Sequence, residues 1–121
     1  KKIKSPNLIF LSPKPNEELV DYYNAADLCL FPTRIEGLPV VPREAMACGT
    51  PVIISDILTS KSIEHAIKIK INKEKMNQAI SNFFSLPLSK RKEISFNSRK
   101  FIEKEYDDDV WKEEYINKIL N

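Results

Sequence analysis

Residues 28–54 read LCLFPTRIEGLPVVPREAMACGTPVII: an apolar run, a loop, a short helical segment and a second apolar run. Leu28-Cys29-Leu30-Phe31 and Val52-Ile53-Ile54 are too short for helices and uninterrupted by polar residues, which predicts two buried strands. Between them, Pro42 has a fixed φ and no N–H. It suits the first position of a helix, with Val41 as the cap. Arg43 to Cys48 carry that helix, Gly49 can adopt the left-handed conformation that stops it, and Pro51 forbids its continuation. A helix of barely two turns is unstable alone and must be held by packing of its Ala and Met face. Strand, helix and strand at this spacing predict a parallel sheet with helices on its faces. Ligands of such sheets gather at the carboxyl ends of the strands. The loop from Thr33 to Val41 leaves one of those ends.

Working outward, Leu8-Ile9-Phe10-Leu11 reads as a further short buried strand after a polar, loose start from Lys1 to Pro6. Pro13 and Pro15 break it. Asn16 is placed to cap a helix with Glu17 and Glu18 in its first turn and Leu19, Val20, Tyr23 and Ala26 along one face. Downstream, Ile67, Ile69 and Ile71 alternate with Lys68 and Lys70, the pattern of a half-exposed edge strand. Met76, Ala79, Ile80 and Phe83 line a helix that ends at Pro87. Ser89 is placed to cap another, bearing Ile94, Phe101 and Ile102, and a last helix runs from about Asp108 through Trp111, Tyr115 and Leu120. The apolar face around Trp111 reads as core.

At 121 residues, 42% hydrophobic and 30% charged, the chain reads as one soluble α/β domain, 1–121, with room for a single core. No apolar run approaches the roughly 20 residues that span a bilayer, and no signal peptide is evident; a cytoplasmic location is expected. A net charge of +2 and the lack of a basic stripe interleaved with aromatics argue against a nucleic-acid partner. The basic run Lys90-Arg91-Lys92, with Arg99-Lys100 beyond, shares its helix with Glu93, Glu103 and Glu105. It reads as a solvated face, with peripheral contact to an anionic membrane as the alternative. Cys29 and Cys48 sit in apolar surroundings and read as reduced core thiols. The single histidine, His65, and the absence of metal-ligand spacing offer neither a protein-only zinc site nor a Ser-His-Asp set. His65 reads as an ordinary loop or helix residue.

The start of the short helix is a seat for an anion, because its first N–H groups are unpaired and carry partial positive charge. Amides at Gly37, Leu38, Val40, Val41 and Arg43 are available to line it, whereas Pro39 and Pro42 have none to give. Glu44 has two readings. In the first helical turn its charge is favoured by the helix dipole, and the same carboxylate is suited to accept hydrogen bonds from neighbouring sugar hydroxyls. Glu36, in a turn after an apolar strand, is either an exposed loop residue or a ligand contact.

The run from Ser5-Pro6-Asn7 through Ile54 resembles the carboxyl-terminal domain of the retaining glycosyltransferases of family 4, the glycosyl transferases group 1 class with the two-domain GT-B fold. That class carries two glutamates separated by seven residues, matched by Glu36 and Glu44 around Gly37-Leu38-Pro39-Val40-Val41-Pro42-Arg43. Leu-Ile-Phe-Leu, Asn-Glu-Glu-Leu-Val-Asp-Tyr-Tyr-Asn-Ala-Ala-Asp, Phe-Pro-Thr-Arg-Ile-Glu-Gly and Glu-Ala-Met-Ala-Cys-Gly-Thr-Pro-Val-Ile fall in the family's order. The resemblance implies a Rossmann-like parallel sheet flanked by helices, the carboxyl-terminal half of a GT-B enzyme, followed by carboxyl-terminal helices. It implies the nucleotide-sugar-binding part of an enzyme that moves a hexose-type sugar from a UDP- or GDP-sugar to an acceptor, with retention and with neither cofactor nor essential metal. Glu36 would be the catalytic residue at the donor sugar. Thr33, Arg34, Gly37, Leu38, Pro39 and Val40 would line the sugar and diphosphate, and Glu44 would grip ribose.

The chain also departs from that pattern. Ile57-Leu58-Thr59-Ser60 lacks the glycines expected after the strand at Val52-Ile53-Ile54, leaving Glu64 as the stand-in for the family's next glutamate. Pro39 replaces a common glycine. The basic residues that clamp the diphosphate belong to earlier strands not in this sequence; Arg34, Arg43 and Lys14 are the substitutes at hand. The acceptor-binding amino-terminal domain is absent, so the single domain is expected to be incomplete. Turnover is not expected until that domain is supplied by a longer chain or a partner subunit. A non-catalytic subunit or scaffold, or a GT-B-shaped sugar-nucleotide epimerase, are the alternatives.

Overall fold

The computed structural model describes residues 5–34, 40–58 and 63–107. In chain order it contains α1 (Asn16–Ala25), β1 (Cys29–Phe31), α2 (Val40–Ala47), β2 (Val52–Ser55), β3 (Ile67–Ile69), α3 (Lys73–Ser85) and α4 (Leu88–Asp107). The strands form one parallel sheet in the order β1-β2-β3. Cys29 lies opposite Val52 and Phe31 opposite Ile54; Ile53 lies opposite Ile67 and Ser55 opposite Ile69. This is the α/β parallel sheet with flanking helices expected from the alternation of strands and helices, and it agrees with the Rossmann-like arrangement that the resemblance implies.

Burial follows the sheet order. β2, paired on both sides, is buried at all of its positions, whereas β1 and β3 alternate between half-buried and exposed residues. Successive side chains of a strand point to opposite faces. On one face Val52 and Ile54 join Ala45 and Met46 of α2, Leu58, Ile63 and Ile102 of α4 in the core, with Tyr23, Cys29, Phe31 and Phe101 packed around it. On the other, Leu30, which registers with the fully buried Ile53, neighbours Ile80 and Phe84 of α3. β3 has the half-exposed edge character predicted from its Ile-Lys-Ile pattern.

The junction of α2 with β2 shows why Gly49 is glycine. Its φ is +79°, its N–H donates to the Met46 carbonyl at 2.9 Å, and the Thr50 N–H donates to the Ala45 carbonyl at 2.9 Å. These paired bonds close the helix and satisfy carbonyls that the last turn leaves open. Pro51 then leads into β2, its carbonyl accepting the Cys29 N–H at 2.8 Å.

Several expectations are corrected. Residues 8–11 form no strand and are exposed, Ile9 at 79% and Phe10 at 64%; apolar patterning marks a strand only where a neighbouring strand accepts its hydrogen bonds, and among the described residues none does. β1 is half-buried rather than buried because, among the described residues, only one of its edges is paired. Asn16 is the first residue of α1 and not its cap; the Pro15 carbonyl receives the Glu18 and Leu19 N–H groups. Ser89 lies within α4, where the Pro87 carbonyl takes the corresponding place for Lys90 and Arg91. α2 starts at Val40, ahead of the expected Val41 cap, which makes Pro42 its third residue. Proline is still accommodated there, because the N–H groups of the first turn have no partner within the helix. α3 runs as expected, capped by the Asn72 side chain on the Lys75 N–H at 2.9 Å. The helix expected from about Asp108, with Trp111, lies outside the described residues.

Candidate functional site

All three strands run the same way, so their carboxyl ends share one edge, and α2, which returns from β1 to β2, begins at that edge. Two contacts hold it together. The Ser55 hydroxyl at the end of β2 donates to the Thr33 carbonyl beyond β1 at 2.5 Å, and the Asp56 N–H donates to the Ile69 carbonyl at the end of β3 at 2.8 Å. Thr33 is half-buried, its N–H turned back onto the Phe31 carbonyl at 3.0 Å. Arg34 beside it is exposed. Val40 and Val41, the first residues of α2, are also exposed, at 48% and 37%.

Glu44 does not lie in the first turn of α2, which removes the helix-start explanation for its charge. It is the fifth residue of the helix, about 6 Å along its axis, and half-buried. Its Oε2 accepts a hydrogen bond from the Tyr23 hydroxyl of α1 at 3.0 Å. Burial, the hydrogen bond and the negative charge of Glu44 together push the Tyr23 phenol well above its ordinary value of 10.0, so the hydroxyl remains a donor. Tyr23 is in turn held from behind, its carbonyl accepting the Thr50 hydroxyl at 2.6 Å. Its role was not read from the sequence, where it counted only as part of an apolar helix face; the polar tip of a tyrosine facing a carboxylate on the next helix was the available signal.

Of the cations considered for a diphosphate, Arg43 is enclosed, at 2% exposure, and Lys14 lies 3.9 Å from Glu18. Arg34 is exposed beside the edge, and Lys70, which directly follows β3, is exposed there as well. In the sequence Lys70 counts only as part of the alternation that marks an edge strand. Glu36, Gly37, Leu38 and Pro39 lie outside the described residues, so this edge is seen with Thr33, Arg34, Val40 and Glu44 of the expected set in place. Glu64 is exposed in the turn before β3.

Elsewhere, the expected ordinary roles are visible. His65 is exposed and packs against Phe101 in a tilted contact, with ring centroids 4.4 Å apart. Cys29 and Cys48 are free and half-buried, and burial raises both thiols above their usual range, which disfavours the reactive thiolate. On α4, Lys90 pairs with Glu93 and both Arg99 and Lys100 pair with Glu103, all at the surface. Among the described residues no cluster of His, Cys, Asp or Glu is arranged to hold a metal, and no helix is long and apolar enough to cross a membrane.

Comparison with known proteins identifies the family. A family model described as glycosyl transferases group 1 matches residues 1–101. The D-inositol 3-phosphate glycosyltransferase of Corynebacterium jeikeium (strain K411) is 52% identical over 44 residues, which is 36% of this chain and 10% of that protein. The protein of the same name from Mycolicibacterium smegmatis is 43% identical over 53 residues, 44% of this chain and 12% of the relative. The matched stretch thus spans only about a tenth of the relatives' length. No solved structure matches the chain. A parallel sheet whose carboxyl edge meets the start of a Glu-bearing helix, together with a family match over most of the sequence, places the chain in the glycosyl transferases group 1 family.

Proposed function

We propose that this chain is the donor-binding part of a retaining, family 4-like glycosyltransferase that takes a hexose-type sugar from a UDP- or GDP-sugar. The observation that carries the reading is Glu44: a half-buried carboxylate held by Tyr23 on the helix that begins at the carboxyl edge. A carboxylate there suits the vicinal hydroxyls of ribose, since it only accepts hydrogen bonds and has about four sites for them. The open N–H groups at the start of α2 suit the diphosphate, with Arg34 and Lys70 as the nearby exposed cations. Glu36 is assigned to the transferred sugar, and Thr33, Gly37, Leu38, Pro39 and Val40 to the walls between sugar and diphosphate.

In the transfer, the bond between the anomeric carbon and the diphosphate oxygen breaks, its electron pair leaving with the diphosphate. A bond forms to an acceptor hydroxyl, whose proton passes to the departing diphosphate. Positive charge grows at the anomeric carbon and negative charge on the departing phosphate. Glu36 would face the first and the α2 amides the second, as pre-placed charges and dipoles that need no reorganisation. No metal or cofactor is needed in this scheme. The acceptor would be held by an amino-terminal GT-B domain from the same longer chain or a partner, in the cytoplasm or at a membrane surface.

Calorimetric titration with UDP- and GDP-sugars tests the assignment, with weak binding by wild type and its loss in Glu44→Ala as the expected outcome. Equal heats for the two proteins would contradict it. A non-catalytic scaffold is the second reading, favoured by the chain's having only two glycines and by the enclosure of Arg43; absence of transfer when the acceptor domain is supplied would support it.

A further inference from the structure

Glu44 has a flexible side chain, and a ligand that needs its carboxylate in one orientation must bear the entropy of fixing it. In this structure that orientation is fixed in advance by a neighbour. The Tyr23 hydroxyl donates to Oε2 at 3.0 Å, and Tyr23 packs against the core. The same tyrosine is tied to α2 a second time, because its carbonyl accepts the Thr50 hydroxyl at 2.6 Å while the Thr50 N–H closes the end of α2 on Ala45 at 2.9 Å. Donor and acceptor therefore sit in one frame, with α1 clasped to α2 at Glu44 and again at Thr50, just beyond the end of the helix. One hydrogen bond uses a single lone pair of a carboxylate that has about four.

We propose that Tyr23 is a positioning residue for nucleotide recognition, holding the Glu44 carboxylate in the orientation that receives a ribose diol. This rests on the assignment of Glu44 to ribose. The test compares UDP or GDP with the corresponding 2′-deoxynucleotide, because only the ribonucleotide offers the second hydroxyl. Wild type is expected to favour the ribonucleotide about tenfold, and Glu44→Ala to bind both forms alike. Tyr23→Phe, which removes only the hydroxyl, is expected to cut the preference about threefold or more while deoxynucleotide binding stays within about twofold.

A full preference in Tyr23→Phe alongside its loss in Glu44→Ala would overturn the positioning role and leave the Glu44 assignment standing. Parallel weakening of both nucleotides in Tyr23→Phe would also overturn it, since that is the effect of a looser fold. A preference that survives Glu44→Ala would overturn the assignment itself and the positioning role with it.

Discussion

Tyr23 of α1 donates its phenolic hydrogen to the Glu44 carboxylate of α2 at 3.0 Å, and burial keeps that phenol protonated beyond its ordinary range. Protonation of Tyr23 is thereby linked to folding. The folded value is raised above the unfolded 10.0, so the contribution to stability is complete below pH 10 and is lost as pH rises from there through the folded value. Denaturant midpoints measured in steps from pH 8 upward are expected to fall more steeply above pH 10 for wild type than for Tyr23→Phe. Parallel curves would show that the phenol is not perturbed.

Gly49 holds a φ of +79°, and a Cβ added there would lie 3.2 Å from the Ser95 hydroxyl oxygen. That hydroxyl is already committed to the Gly49 carbonyl. Gly49→Ala therefore combines left-handed strain with a tight contact and is expected to cost about 1–3 kcal/mol, read by urea unfolding. A cost below about 0.5 kcal/mol would mean the helix can end another way.

Ser55→Ala removes the bond that ties the end of β2 to the Thr33 carbonyl. The expected loss is about 1 kcal/mol, together with faster amide exchange at Thr33 and Arg34. Stability lost with no local change in exchange would place the effect in the buried strand and not at the carboxyl edge.

The central strand–helix–strand unit was legible because Gly49, Pro51 and the apolar run at Val52 act locally: a left-handed stop, a residue that cannot continue a helix and a strand buried on both faces. The alternation of Ile67, Lys68 and Ile69 was legible for the same reason. The strand expected at residues 8–11 failed because strand formation depends on a partner, which local pattern does not report. Cap positions at Asn16, Val41 and Ser89 failed by one or two residues because a proline carbonyl or an earlier start satisfied the helix ends instead. At the site, the spacing of Glu36 and Glu44 was visible in sequence, but the bond between Tyr23 and Glu44 joins residues 21 apart on different helices. Only packing brings them together.

In a complete enzyme, Glu36→Gln is expected to lower the transfer rate by about a hundredfold, the scale of removing one pre-placed electrostatic group, with nucleotide affinity changed less than about threefold. Single-turnover rates and binding titrations measured on the same variant separate the two. An unchanged rate would remove Glu36 from the chemistry.

Binding of a nucleoside diphosphate at the carboxyl edge around Glu44 underlies the whole proposed function. It is tested most directly by following backbone amide resonances of the chain during titration with UDP and GDP, which detects binding even at millimolar strength. Saturable shifts are expected, clustered at Thr33, Arg34, Val40, Val41 and Glu44, with their loss in Glu44→Ala. Shifts confined to the opposite, amino edge, where a cavity of about 260 Å³ is lined by Asn24, Asp27, Thr50 and Arg91, or no saturable shifts at all, would contradict it.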